Sequence, residues 1–154
     1  MADDGVAEEL NSILARAGQR AKSDGLAYAG ALTPKEAYAL WQAGAAVLVD
    51  VRTFEELNWV GAVPGAKHVE WKAWKDSNPH PEFVDQLTER VGSGLPILFL
   101  CRSVVRSHAA ATLITQKGFV AYNVLEGFEG SIDADGHRGR IDGWRLAGLP
   151  WRQS

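Results

Sequence analysis

The sequence predicts an α/β protein of three layers, α/β/α, around a mainly parallel sheet of roughly five strands. Three observations predict it. Residues 46–51, apolar except for Asp50, and 96–100 are runs without polar alternation, the pattern of strands covered on both faces in a parallel sheet. Around them lie stretches of about ten residues whose apolar positions recur at helical spacing. The two kinds of segment alternate along the chain, which implies right-handed βαβ units with helices on both faces.

Local signals place each element. Residues 1–30 are rich in Ala, Gly and charge, and Leu10, Ile13, Leu14 and Ala17 share one helical side; they form an N-terminal helical extension ended by Gly18 or Gly25. The main domain is residues 31–154. It opens with Thr33-Pro34-Lys35-Glu36, an N-cap, a proline at the first helical position and a glutamate completing a capping box. That helix runs to Gln42 and closes at Gly44. The strand at 46–51 follows, then a short helical turn at 53–57, a loop at 61–66 and a brief strand at 68–70. Pro79, Pro81 and Glu82 precede a helix that reaches Arg90 and stops at Gly92-Ser93-Gly94. Beyond the strand at 96–100, residues 107–117 set Ala109, Ala110, Leu113 and Ile114 on one helical face and end at Gly118. A last strand is expected at 121–125.

Length and composition narrow the function classes. A chain of 154 residues suits one domain with one core. With 46 % hydrophobic and 23 % charged residues it has an ordinary globular mix. The longest strongly apolar run, 95–101, falls far short of the roughly 18 residues a spanning helix needs, so no membrane partner is expected. Ala2-Asp3-Asp4-Gly5 is acidic where a secretory leader would be basic, and no apolar h-region follows; the expected location is cytoplasmic. A net charge of -3 argues against nucleic-acid binding. The single cysteine, Cys101, allows neither an internal disulfide nor a cysteine-based zinc site.

Cys101 falls directly beyond the carboxyl end of Ile97-Leu98-Phe99-Leu100, the place where open α/β sheets gather their ligands. Arg102, Ser103, Val104, Val105, Arg106 and Ser107 follow it, a loop short enough for its N–H groups to curl around one anion. Arg102 and Arg106 add positive charge, Ser103 and Ser107 add hydroxyl donors, and the next helix, starting near Ser107, aims the positive end of its dipole at the same point. These terms favour thiolate over thiol. Cys101 is therefore expected to be a reactive, partly exposed nucleophile, with residues 102–107 binding the substrate. A cysteine serving only as a small hydrophobe would not need two arginines and two serines beside it.

Five ordered motifs extend this reading. Residues 47–56, Val-Leu-Val-Asp-Val-Arg-Thr-Phe-Glu-Glu, combine a strand with an acidic helix start. Gly61-Ala62-Val63-Pro64-Gly65-Ala66, the loop at 101–107, residues 124–128, and Gly143-Trp144 with Ala147-Gly148-Leu149-Pro150 complete the set. In this order they resemble a rhodanese homology domain over about residues 32–151. The resemblance implies a rhodanese-like fold and a sulfurtransferase without a cofactor. Cys101 would take the outer sulfur of thiosulfate or a persulfide donor, become a persulfide, and pass the sulfur to cyanide, a thiol or a sulfur-carrier protein; Arg102 and Arg106 would clamp the anion, or Arg106 would instead turn inward to brace the loop. The alternative is a non-catalytic partner-binding or redox-sensing module of the same family. Related phosphatase and arsenate reductase loops place five residues between Cys and Arg; the four between Cys101 and Arg106 make a tighter ring, suited to one sulfur atom. Two positions depart from the pattern: Val104 stands where the family loop has Gly, and Ala62 where it has His. A β-branched residue resists positive φ, so Val104 requires ordinary dihedrals or a differently aimed loop.

Other residues carry secondary expectations. Asp50, Arg52 and Glu55 are expected to form an ion-pair or hydrogen-bond network bracing the loop from the neighbouring strand end. Trp71 and Trp74 are candidates for the pocket rim, with core packing as the other reading. Asp133-Ala134-Asp135-Gly136 resembles part of a calcium loop but lacks the remaining ligands and the terminal Glu, and no metal is expected. His68, His80, His108 and His137 show no ligand spacing.

Overall fold

The continuous apolar runs become the centre of the sheet. In the computed structural model, which describes residues 2–154, the elements are α1 (Ala2–Asp24), β1 (Gly30–Leu32), α2 (Pro34–Gln42), β2 (Val47–Asp50), α3 (Phe54–Trp59), β3 (Lys67–His68), α4 (Phe83–Val91), β4 (Ile97–Leu100), α5 (Val105–Gln116) and β5 (Ala121–Val124). The five strands lie in the order β1-β5-β4-β2-β3, and every pairing is parallel.

Strand alternation divides the core between the two faces. Leu48 of β2 and Leu98 and Leu100 of β4 pack with Ile13 and Ala17 of α1 and Ala37 and Leu40 of α2. On the opposite face Val49, Ile97 and Phe99 pack with Phe83 and Leu87 of α4 and Ala110, Ala111 and Ile114 of α5. Cys101 continues the parity of Ile97 and Phe99, so its side chain enters the layer beneath α5. Among the described residues no helix is long and apolar enough to cross a membrane.

Local chemistry sets the helix ends. Thr33 and Glu36 form the expected capping box on α2, and Thr53 with Glu56 forms a second one on α3. α1 runs through Gly18 and stops before Gly25, whose φ of +64° suits glycine. β1 differs from the sequence expectation, which placed no strand there. Three residues without β-branching carry little intrinsic signal, and pairing with Tyr122, Asn123 and Val124 of β5 makes them a strand. Helix α1 crosses that strand closely enough that a Cβ on Gly30 would meet the Ala17 carbonyl oxygen at 2.5 Å. α5 begins at Val105, two residues before the expected start, and buries Ser107, Ala110, Ala111 and Ile114. Ala109 and Leu113, expected on the same face as Ala110 and Ile114, lie partly buried beside them. β3 occupies 67–68 rather than 68–70, because its partners on β2 are Val49 and Asp50.

Candidate functional site

Beyond β4 the chain turns through residues 102–104 and re-enters a helix, so the expected seven-residue loop is shorter than its sequence suggested. Arg106 and Ser107 sit on the first turn of α5. Cys101 Sγ lies 3.1 Å from Ser107 Oγ, and Ser107 Oγ also lies 3.1 Å from the Val104 carbonyl. The hydroxyl has one proton to give. With a thiol, S–H donates to Ser107 while Ser107 donates to Val104; with a thiolate, Ser107 can turn its proton to sulfur. Val104 has φ −155° and ψ −11°, outside both the helical and the extended region but with negative φ, which answers the departure from glycine: the turn does not require positive φ there.

The expectation of a partly exposed Cys101 is corrected: the residue is 1 % exposed. Strand parity aims it inward, and the segment after β5 closes over its backbone. The Phe128 amide donates to the Cys101 carbonyl at 2.8 Å, and the Glu129 and Gly130 amides donate to the Arg102 carbonyl at 3.0 and 3.3 Å. This approach depends on Gly127, where a Cβ would meet the Arg102 and Ser103 backbone at 2.5 Å and φ is +76°. Glu126 carries the one positive φ among described non-glycine residues, +69°, and its carboxylate accepts from the Gly143 amide at 2.9 Å.

Two ion pairs brace the loop from the β2 side. The Arg52 guanidinium donates through Nε and Nη2 to both Asp50 oxygens at 2.7–3.1 Å and through Nη2 to the Gly61 carbonyl at 2.9 Å. It also stacks 4.0 Å from the centre of the Phe128 ring. Glu56 receives two hydrogen bonds from Arg106, at 2.5 and 3.0 Å. Burial alone would raise the Glu56 carboxyl, but the bonds and charge of Arg106, with the Thr53 amide and Arg52, outweigh it and hold it at about 2. Arg106 is thus a strut between α5 and α3, in keeping with the loop-bracing reading of this residue rather than the anion clamp. The carboxylate in the network is Glu56, not Glu55, whose side chain makes no hydrogen bond among the described residues. The T-x-x-E capping pattern at 53–56 was the sequence signal for it.

The remaining candidates separate. Arg102 is exposed, Ser103 and Val104 are half-buried, Val105 is 74 % exposed, and Ser107 is buried. Trp71 belongs to the core, packed edge-on against Phe83 with ring centres 4.8 Å apart, which corrects its placement at a rim. Trp74 is 59 % exposed. His68 and His108 have structural partners: His68 Nε2 lies 2.6 Å from the Arg52 carbonyl and His108 Nδ1 2.7 Å from the Tyr28 hydroxyl. Ala62, in place of the family histidine, works through its backbone, pairing with Arg152 by two 2.9 Å bonds. The Asp133 carboxylate is engaged by the Asp135 and His137 amides, and the described residues contain no group of three or more His, Cys, Asp or Glu side chains arranged to hold a metal.

Fold and site together define an α/β domain that carries a lone cysteine at the carboxyl end of its central parallel strand, under the first turn of a helix. The family model for the rhodanese-like domain matches residues 33–133, and the chain belongs to that family. An uncharacterized protein of Rickettsia rickettsii is 35 % identical over 114 residues, covering 70 % of this chain and 83 % of its own. A second, from Rickettsia conorii, is 36 % identical over 112 residues, with the same coverage of 70 % and 83 %. The crystal structure of Rv0390 from M. tuberculosis matches with TM-score 0.73 and 46 % identity, over 82 % of this chain and 99 % of that one. A thiosulfate sulfurtransferase from Pseudomonas aeruginosa shares the fold at TM-score 0.58 and 20 % identity, over 90 % of this chain and 22 % of that one.

Proposed function

We propose that the protein is a cytoplasmic sulfurtransferase that carries sulfane sulfur on Cys101. The observation that supports it best is the placement of Cys101 Sγ, 3.1 Å from the Ser107 hydroxyl at the start of α5, with Arg102, which has no ion-pair partner among the described residues, following it in the chain. A hydroxyl donor and the positive end of a 12-residue helix stabilise negative charge on sulfur through both halves of a transfer cycle. In the first half the Cys101 thiolate attacks the outer sulfur of thiosulfate, that S–S bond breaks, and sulfite leaves with the electron pair. In the second a nucleophile such as cyanide, a thiol or a sulfur-carrier protein attacks the outer sulfur, and Cys101 leaves as thiolate. A persulfide donor serves equally in the first step. Arg102 draws the anion in; Arg106, Asp50, Arg52 and Glu56 hold the loop.

The burial of Cys101 favours one alternative, a partner-binding or redox-sensing module in which the thiol is seldom reached. Intact-mass measurement before and after thiosulfate separates the two readings. A gain of one sulfur atom that cyanide removes, and that Cys101→Ser never shows, is the expected result. An unchanged mass with both thiosulfate and a low-molecular-weight persulfide would leave the module reading in place.

A further inference from the structure

The hydrogen-bonded chain that begins at the Cys101 sulfur does not end at Ser107. The Val104 carbonyl accepts from two donors, the Ser107 hydroxyl at 3.1 Å and the His108 amide at 2.9 Å. When a thiolate forms and Ser107 turns its proton to sulfur, the His108 amide is the donor that stays on that carbonyl and keeps it satisfied. α5 also begins without a side-chain cap, since Val104 occupies the N-cap and has no hydroxyl or carboxylate to offer. Its first turn is held by other contacts. One is the Arg106–Glu56 pair; the other is the His108 ring.

Nδ1 of that ring lies 2.7 Å from the Tyr28 hydroxyl, and the two rings meet edge to face with centres 5.3 Å apart. Tyr28, in the connection between α1 and β1, is buried, and its oxygen accepts from the Nδ2 of buried Asn123 at 3.4 Å. Burial pushes the Tyr28 hydroxyl above its ordinary 10, opposed by the Asn123 bond and reinforced by the charge of Asp24, so the hydroxyl keeps its one proton at neutral pH. The proton count then sets the direction of the bonds. Tyr28 receives from Asn123 and gives to His108 Nδ1, which leaves the hydrogen of the neutral ring on Nε2. A second ring proton, on Nδ1, would set donor against donor across that gap. Tyr28 could turn its own hydrogen away only if the buried Asn123 amide rotated, because Asn123 Oδ1 as placed has no partner. The contact suits an uncharged imidazole and loosens with a charged one.

We propose that Tyr28 and His108 are positioning residues that hold the first turn of α5 for Cys101, so that the reactivity of the thiol falls when the His108 ring gains its second proton. Its bearing on sulfur loading rests on the sulfurtransferase reading above. The new charge by itself acts in the opposite sense, since a cation near sulfur favours thiolate. His108 is exposed, however, where charge is screened, whereas the Ser107 bond to a thiolate is buried and charge-assisted. Loss of position therefore outweighs the added charge. The titratable neighbours of the ring are Tyr28 and, acting on Tyr28, Asp24 at the end of α1; β5 contributes the uncharged Asn123, and Arg106 on α5 is paired with Glu56. A comparison of wild type with His108→Gln keeps all of these constant.

Alkylation of Cys101 by iodoacetamide, followed by intact mass on the full chain from about pH 8 down to about pH 5, spans the range in which imidazoles gain a proton and needs no sulfur donor. The wild-type rate is expected to fall more steeply than a single ionisation allows. His108→Gln, whose amide oxygen can accept from Tyr28 but takes up no proton, is expected to follow a single ionisation. Tyr28→Phe and His108→Ala are expected to react about three- to tenfold more slowly than wild type at the alkaline end, the worth of one hydrogen bond. His108→Gln should recover part of the rate that His108→Ala loses. A merely structural role for His108 would change the rate by a constant factor, so parallel profiles for wild type and His108→Gln overturn the proposal. A wild-type rate and slope in Tyr28→Phe, or a wild-type thiol that never reacts, overturn it as well. A protein with the expected profiles that gains no sulfur from thiosulfate or a persulfide would lose the sulfurtransferase reading and keep the Tyr28–His108 assignment.

Discussion

At Gly127 two requirements coincide, a left-handed backbone and a hydrogen in place of Cβ, because the Arg102 and Ser103 backbone passes 2.5 Å from where that carbon would be. Neither requirement can be met by moving a side chain, since the atoms in the way are main chain. Gly127→Ala is expected to cost about 2–4 kcal/mol, read as a lowered urea midpoint at unchanged slope, and to slow sulfur loading further by displacing the loop. A midpoint within error of wild type would mean that the segment at 126–130 does not clamp the loop. Ser107 makes a different kind of contribution. Its hydroxyl is one proton shared between sulfur and the Val104 carbonyl, so removing it weakens the thiolate form more than the fold. Ser107→Ala is expected to slow persulfide formation about tenfold or more, the worth of a hydrogen bond to a charged group. A loading rate equal to wild type in a variant of unchanged melting temperature would remove Ser107 from the reaction.

Elements are joined here by few, well-placed contacts. Helix α1 buries Ile13 and Ala17 against β1 and α2, and Arg16 and Arg20 both pair with Glu36 across the α1–α2 junction. We infer that the N-terminal helix and the residues that follow fold as one unit. Ile13→Ala is then expected to lower stability by about 2–4 kcal/mol in a single transition. A loss below about 0.5 kcal/mol, or a separate early transition for the helix, would make α1 an independent appendage. Between α3 and α5 the Glu56–Arg106 pair does similar work, and because Glu56 also completes the α3 cap, one carboxylate fixes both a helix start and the neighbouring loop.

For the whole molecule, the two capping glutamates set a shared acid limit. Burial opposes ionisation at Glu36 as it does at Glu56, but Arg20, the Thr33 amide and Arg16 outweigh it, and both carboxyls are held at about 2 against an ordinary 4.5. With a depressed carboxyl pKa, stability rises with pH across the range in which the unfolded chain binds the extra proton, and is fully present above it. Their contribution is therefore complete above about pH 4.5 and is lost progressively as pH falls toward about 2. Urea midpoints taken from about pH 7 downward should be insensitive to these groups until about pH 5 and then decline, with a shallower decline in Glu56→Gln. An acid limb identical in wild type and Glu56→Gln would show that Glu56 is not held down by its partners.

The buried strands, the capping box at 33–36, the position of Cys101 after the central strand and the five family motifs were all readable from the chain, because each is a local pattern of residue types. The pairing of Asp50 with Arg52 belongs with them, two residues apart across one strand end. Three things were decided only in three dimensions. β1 became a strand because β5 offered unpaired backbone to a segment with little propensity of its own. Arg106 had two readings in the sequence, anion clamp or inward brace, and the approach of Glu56 on α3 to the first turn of α5 selected the brace. Cys101 became buried because strand parity points its side chain under α5 and the segment at 126–130, more than twenty residues away in sequence, closes over its backbone. Local patterns fix which groups are available; which partner each one meets depends on chain crossings that bring distant segments together.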